Sequence, residues 1–165
     1  FYGGGWFWKD GTVNASSNPG SFGYGINGSK YVANNTDFSD FTYQADIQVK
    51  TEGDAGLIFR VSKPAIGADA YEGYYVGLNP GTGEVQIGKA SNQKWVPLNA
   101  VKYPVKMNTV YQVKIIAKGD KIEAFINNSD KAVVSITDNQ YQSGSIGLRA
   151  YKALASFDSV KINKL

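Results

Sequence analysis

The chain has neither cysteine nor histidine among its 165 residues. The missing cysteine rules out a disulfide framework, a thiol nucleophile and a thiolate metal site. The missing histidine removes the commonest general base and the commonest metal ligand. A Ser-His-Asp triad therefore cannot be built, and any metal would need oxygen ligands, as calcium does. Long apolar runs are also lacking. No segment approaches the roughly 18 apolar residues of a membrane span, so no membrane partner is expected. Charge of one sign is not concentrated either. The 17 basic residues are spread along the chain, mostly as single lysines, and the net charge is only +3. Scattered solvated lysines explain this better than a surface that tracks a phosphate backbone, so no nucleic-acid partner is expected.

What remains is the composition of one globular domain spanning residues 1–165. Hydrophobic residues make up 42% of the chain, enough to bury a core without disulfides or metals. The chain opens at Phe1, with no Met and no signal peptide, which suggests a mature or excised piece. Abundant Gly, Asn, Ser and Tyr without Cys suit a secreted, extracellular bacterial module. Sequons at Asn14, Asn27, Asn34 and Asn127 carry no weight, because Asn and Ser are common enough here to produce them by chance.

No stretch has helical periodicity, whereas period-two alternation recurs. Phe41, Tyr43, Ala45, Ile47 and Val49 alternate with polar residues. Further strands are expected over residues 55–61, 71–78, 84–89, 111–117, 121–127, 132–136, 144–151 and 157–162. Turn residues such as Asn79-Pro80-Gly81 and Gly119-Asp120 fall between them. Many short strands of this kind predict an all-β, two-sheet antiparallel sandwich. The first 35 residues carry the weakest pattern, with Trp6, Phe7 and Trp8 as a strand or a core plug.

Alternation also predicts a shared non-core face. If Leu57, Phe59 and Val61 point inward, Gly56, Ile58 and Arg60 point outward. Likewise Val76 and Leu78 inward put Gly73, Tyr75 and Gly77 outward. Ile146 and Leu148 inward put Gly147, Arg149 and Tyr151 outward. Glycines would lower the floor beneath a ligand. Tyrosines offer flat apolar surfaces with polar tips, and arginine presents a planar fork of donors. Asp54, Glu72 or Glu84 would accept from hydroxyl groups. That combination suits a sugar, which is polar on its rim and apolar on its faces. Tyr74 reads equally as a core packer or a ligand contact. Trp95 reads equally as a sugar platform or a hydrophobic lid.

Glycoside hydrolysis would need two carboxyls facing each other across the bond. Glu52, Asp54, Glu72 and Glu84 are sufficient in number, but sequence does not pair them. Asp10 and Asp158 could share a structural calcium if the terminal strands pair. Ordinary turn acids are the simpler expectation, and no cofactor is expected.

The run Gly53-Asp54-Ala55-Gly56-Leu57-Ile58-Phe59-Arg60, the Tyr-rich strand 71–78, Glu84–Lys89, Trp95 and the ending Gly144–Ala150 with Phe157-Asp158-Ser159-Val160 together resemble the concanavalin- and laminin-G-like β-sandwich (jelly-roll) superfamily. Within it, the chain looks most like the fructan-binding, lectin-like carbohydrate-binding modules of bacterial levanases. The resemblance implies a non-catalytic, monomeric module that recognises the terminal fructose of levan and carries an attached catalytic domain to its substrate. It places polar contacts on Arg60, Asp54 and Glu72, with the tyrosines as walls. Together with the outward face, the candidate ligand-binding set is Arg60, Asp54, Glu72, Tyr75, Tyr74, Trp95, Arg149 and Tyr151. The alternatives are a glycoside hydrolase-like domain of the same fold and a protein-binding adhesive sandwich.

Overall fold

A computed structural model describes residues 1–16 and 28–165, so the sequon at Asn27 lies outside the described residues. Within them the chain forms strands β1 (Gly5–Lys9), β2 (Thr12–Ser16), β3 (Gly28–Val32), β4 (Phe41–Val49), β5 (Asp54–Ser62), β6 (Glu72–Asn79), β7 (Glu84–Ser91), β8 (Lys94–Lys102), β9 (Val110–Lys118), β10 (Lys121–Ile126), β11 (Val134–Thr137), β12 (Ser145–Tyr151) and β13 (Leu154–Lys164). They build two antiparallel sheets, ordered β1-β2-β13-β4-β9-β10-β11 and β3-β12-β5-β6-β7-β8. The protein is thus the expected all-β, two-sheet sandwich. No helix among the described residues is long and apolar enough to cross a membrane.

Alternation sets the core. Along β4 every second residue from Phe41 to Val49 is buried and the residues between are half-buried, as expected for a sheet with one solvated face. β5 differs, because Asp54 to Val61 are all buried. Leu57 and Phe59 belong to the main core, while Ile58 and Val61 belong to a second, smaller cluster with Val32, Tyr71, Tyr75 and Ala90. The outer face of the six-stranded sheet is therefore also covered. β8 was not anticipated from sequence. Pro97 argues against a central strand, but β8 lies at the sheet edge, where a proline is tolerated. Asn92 and Gln93, both at positive φ, form the tight turn that returns the chain into it.

Between β5 and β6, Phe59 pairs with Tyr74 and Ser62 with Glu72, so Arg60 and Val61 together oppose Gly73. This is a β-bulge, with Arg60 at φ 49°. It reverses the side-chain parity beyond Phe59. Val61 joins the outer cluster, and Arg60 reaches between the sheets, which corrects its expected outward placement. Burial of the guanidinium is offset by backbone acceptors. Nε and Nη2 donate to Ser39 O at 3.0 and 2.7 Å, Nη2 also to Gly119 O at 2.9 Å, and Nη1 to Tyr141 O at 3.1 Å. Asp40 lies 3.6 Å from Nη2 and accepts from the Gly119 N–H at 2.9 Å. One buried side chain thus ties three loops across one end of the sandwich.

Arg60→Met keeps the bulk and removes these donors. With charge-assisted bonds lost and their carbonyls left unmet, it should cost about 3 kcal/mol. For a domain of this size that is a drop in melting temperature of roughly 6–12 °C. An unchanged thermal melt would show that Arg60 does not carry this load.

Candidate functional site

The outer face of the six-stranded sheet is organised around β12. Arg149 stands opposite Gly56 of β5 and Lys30 of β3, and Tyr151 stands opposite Asp54 and Gly28. The chain between β5 and β6 folds back over this face. The result is a pocket of about 250 Å³ lined by Asp54, Asp69, Tyr75, Gln86, Trp95, Arg149 and Tyr151. It is smaller than the ~300–1,000 Å³ clefts that take drug-sized ligands. Its scale suits a single ring.

Arg149 is the centre of the pocket, and only 4% of it is exposed. Nη1 donates to Asp54 Oδ1 at 3.0 Å, Nη2 to Asp69 Oδ1 at 2.9 Å, and Nε to Ala68 O at 3.2 Å. The guanidinium carbon also lies 4.6 Å from the Tyr75 ring centroid, 5.3 Å from that of Tyr151 and 5.9 Å from that of Trp95. Burial alone would favour losing the proton, but Asp54 leads a set of neighbours that outweigh it and hold Arg149 above its ordinary value. Asp54 feels the opposite balance. Burial lifts its carboxyl above the usual range, against the pull of Arg149 and of the Tyr75 hydroxyl that donates to Oδ1. Burial, followed by the Asp54 charge, raises the Tyr75 phenol well above its ordinary value and keeps it a neutral donor.

Of the glycines expected to floor a ligand, Gly77 instead makes room for one of the protein's own rings. A Cβ on Gly77 would sit 2.5 Å from Tyr75 Cε1, and one on Gly88 would sit 2.5 Å from Trp95 Cη2. Gly77 and Gly88 leave room for these two rings over the sheet, and the rings pack edge to face with centroids 5.7 Å apart. The apolar surface offered to a ligand is therefore aromatic rather than bare backbone.

Of the candidate residues, the structure brings together Asp54, Tyr75, Trp95, Arg149 and Tyr151. Three others lie outside the pocket. The bulge directs Arg60 between the sheets. Tyr74 is fully buried in the main core, stacked 5.6 Å from Phe59, and its hydroxyl donates to Asp138 at 2.5 Å. Glu72 braces loops instead, accepting from the Asn92 N–H at 3.1 Å and from the Tyr141 hydroxyl, the bond that chiefly holds its carboxyl below the usual range. Asp69 and Gln86 complete the pocket and were not in the candidate set. Asp69 stands in the Asp69–Tyr75 aromatic-rich run, but only the loop fold-back brings it to Arg149. Gln86 reads in sequence as an ordinary polar residue on the exposed side of β7.

Several polar atoms remain available to a ligand. Among the described residues, Asp54 and Asp69 use only Oδ1, three of the five Arg149 donors are engaged, and the side chains of Gln86 and Tyr151 make no hydrogen bond. The pocket thus presents acceptors, donors and aromatic faces around one ring-sized space. As to a metal, no group of three or more acidic residues is placed to hold one among the described residues. The terminal strands do pair, but Asp158 faces Asp46 across β13 and β4, and Asp10 occupies the β1–β2 turn.

The family model of the 3-keto-alpha-glucoside-1,2-lyase-like domain matches residues 2–163. A levanase of Bacillus subtilis (strain 168) is 29% identical over 136 residues, covering 81% of this chain but only 19% of the levanase. The chain therefore corresponds to a small part of that protein. The solved structure of the carbohydrate-binding module CBM66 from Bacillus subtilis superposes with a TM-score of 0.85 at 25% identity, over 98% of this chain and 92% of the module. A prokaryotic β-1,3-1,4-glucanase (lichenase) from a mouse hindgut metagenome shares the fold, with a TM-score of 0.71 at 16% identity over 97% of this chain and 83% of the enzyme. With the family model covering almost every residue, the chain belongs to the 3-keto-alpha-glucoside-1,2-lyase-like domain family.

Proposed function

We propose that this domain is a non-catalytic carbohydrate-binding module whose pocket takes the terminal fructose of levan or a related fructan. One observation carries the reading. Asp54 and Asp69 hold a buried Arg149 between them in a ring-sized pocket walled by Tyr75, Trp95 and Tyr151. The unused carboxylate oxygens accept from sugar hydroxyls, the remaining guanidinium donors span neighbouring oxygens, and the rings cover an apolar edge. The likeness to a carbohydrate-binding module and to a levanase supports fructan as the polymer. A pocket of this size selects chain ends rather than chain interiors. With few contacts, the affinity is modest, on the order of micromolar to millimolar. Tethering such a module to a secreted glycoside hydrolase raises that enzyme's local concentration at a branched polymer with many ends.

The family description and the raised Asp54 carboxyl favour a second reading, in which the pocket transforms a glycoside. Hydrolysis requires one carboxyl to give up a proton while a second attacks or activates water. Here both pocket carboxylates are bonded to the same guanidinium, which opposes their serving as free acid and base. Incubation with levan, inulin and sucrose separates the readings: retardation in a levan gel without sugar release is expected, and release at catalytic rates would sink the binding-module reading.

Three substitutions sharpen the prediction. Arg149→Lys keeps the charge but not the fork, and should weaken levan binding at least tenfold, the equivalent of about 1.4 kcal/mol. Gly77→Ala forces the Tyr75 ring off its seat, and should weaken binding comparably in a domain that still folds, as read by calorimetry alongside circular dichroism. The Asp54 shift predicts a pH dependence. Its raised pKa means that acidification protonates the carboxyl before an ordinary aspartate near ~3.9 would accept a proton. Affinity should therefore fall as pH drops through a window above that value, and Asp54→Asn should abolish this dependence. A flat wild-type profile down to pH 4 would contradict the assignment.

A further inference from the structure

Lys30 lies on the same face as the pocket but does not line it. It stands directly opposite Arg149 across β3 and β12, and it is fully buried. Like charges in register destabilise a sheet, and a buried ammonium is costly without partners. Two contacts account for its presence. Nζ donates to the carbonyl oxygen of Gly67, and it sits 5.6 Å from the Tyr71 ring centroid. Both partners belong to the loop at residues 63–71, whose Ala68 and Asp69 hold Arg149. Two residues earlier on β3, Gly28 lies so close to the loop that a Cβ there would be 2.6 Å from Ala68 Cα. β3 is therefore the bed on which the loop rests, and the ammonium is its clamp.

We propose that Lys30 is a positioning residue for the pocket, holding the 63–71 loop so that Asp69 and the Ala68 carbonyl meet Arg149 in the geometry that binds the sugar. The proposal rests on the pocket being the sugar site. Loop contacts within 63–71, Ala65 N–H to Ala70 O at 2.8 Å and Tyr71 N–H to Asp69 O at 2.9 Å, transmit the clamp to Asp69. Among the described residues, the charged and titratable groups around the ammonium are Arg149 from β12, Asp69 and Tyr71 from the loop, Asp54 beyond Arg149 on β5, and Tyr2, whose backbone pairs with that of Lys30. Burial, followed by Arg149, lowers Lys30 to about 8, against the opposing pull of Asp69. The clamp thus loses its charge as pH rises through about 8, and its bond to Gly67 then loses the assistance of that charge.

The test compares wild type, Lys30→Met and Lys30→Arg. Two readouts are used: levan affinity from pH 7 to 9.5, and hydrogen exchange of the amides at 65–71 without ligand. Wild-type affinity should fall across this range by roughly tenfold, the scale of one charge-assisted bond. Lys30→Met should be weak throughout and flat with pH, and Lys30→Arg, which stays charged, should hold its affinity to pH 9.5. Exchange at 65–71 should be faster in Lys30→Met while amides in β4 and β9 keep their protection. Wild-type affinity and loop protection in Lys30→Met would overturn the proposal. Should wild type fail to bind any fructan, the sugar reading falls by itself and the exchange comparison alone decides the role of Lys30.

Discussion

A guanidinium buried beside two carboxylates is costly to desolvate, and the outer face of the six-stranded sheet is arranged around keeping Arg149 satisfied. Asp54 from β5, Asp69 and Ala68 from the loop, and three aromatic rings each occupy one side of it. Removing any one partner would leave charge exposed to a poor solvent, which costs about 3–5 kcal/mol when a buried pair is broken. That mutual dependence gives the pocket a fixed shape before any ligand arrives. Preorganisation of this kind lets a small site with few contacts bind at all.

Two arginines divide the labour of the domain. Arg60 is buried just as deeply, yet among the described residues its hydrogen bonds go to backbone carbonyls of three loops, and its role is to close one end of the sandwich. Arg149 instead meets side-chain carboxylates and leaves donors toward an open pocket. The difference originates in a single extra residue in β5, which turns Arg60 inward while Arg149 keeps the regular outward parity of β12.

The fold was largely legible because the core faces alternate with period two, as from Phe41 to Val49. The same alternation on β12 and β6 located Arg149, Tyr151 and Tyr75. It failed at Arg60, because nothing in the run Gly56-Leu57-Ile58-Phe59-Arg60 marks the bulge. Sequence also read Gly77 as part of a floor for a ligand, whereas its missing Cβ makes room for the Tyr75 ring. The choice depends on rotamers that alternation does not encode. Asp69 was invisible as a pocket residue because its position depends on Gly28 and Lys30, which lie far away in the chain and hold the loop on β3.

The most direct test of the central claim is a crystal structure of the domain with a short levan oligosaccharide. A single terminal fructose ring is expected within hydrogen-bonding distance of Asp54, Asp69 and Arg149, against the Tyr75 and Trp95 rings, with the rest of the oligosaccharide leading out to solvent. A sugar bound instead on the outer face of the seven-stranded sheet, with the Arg149 pocket empty, would contradict it.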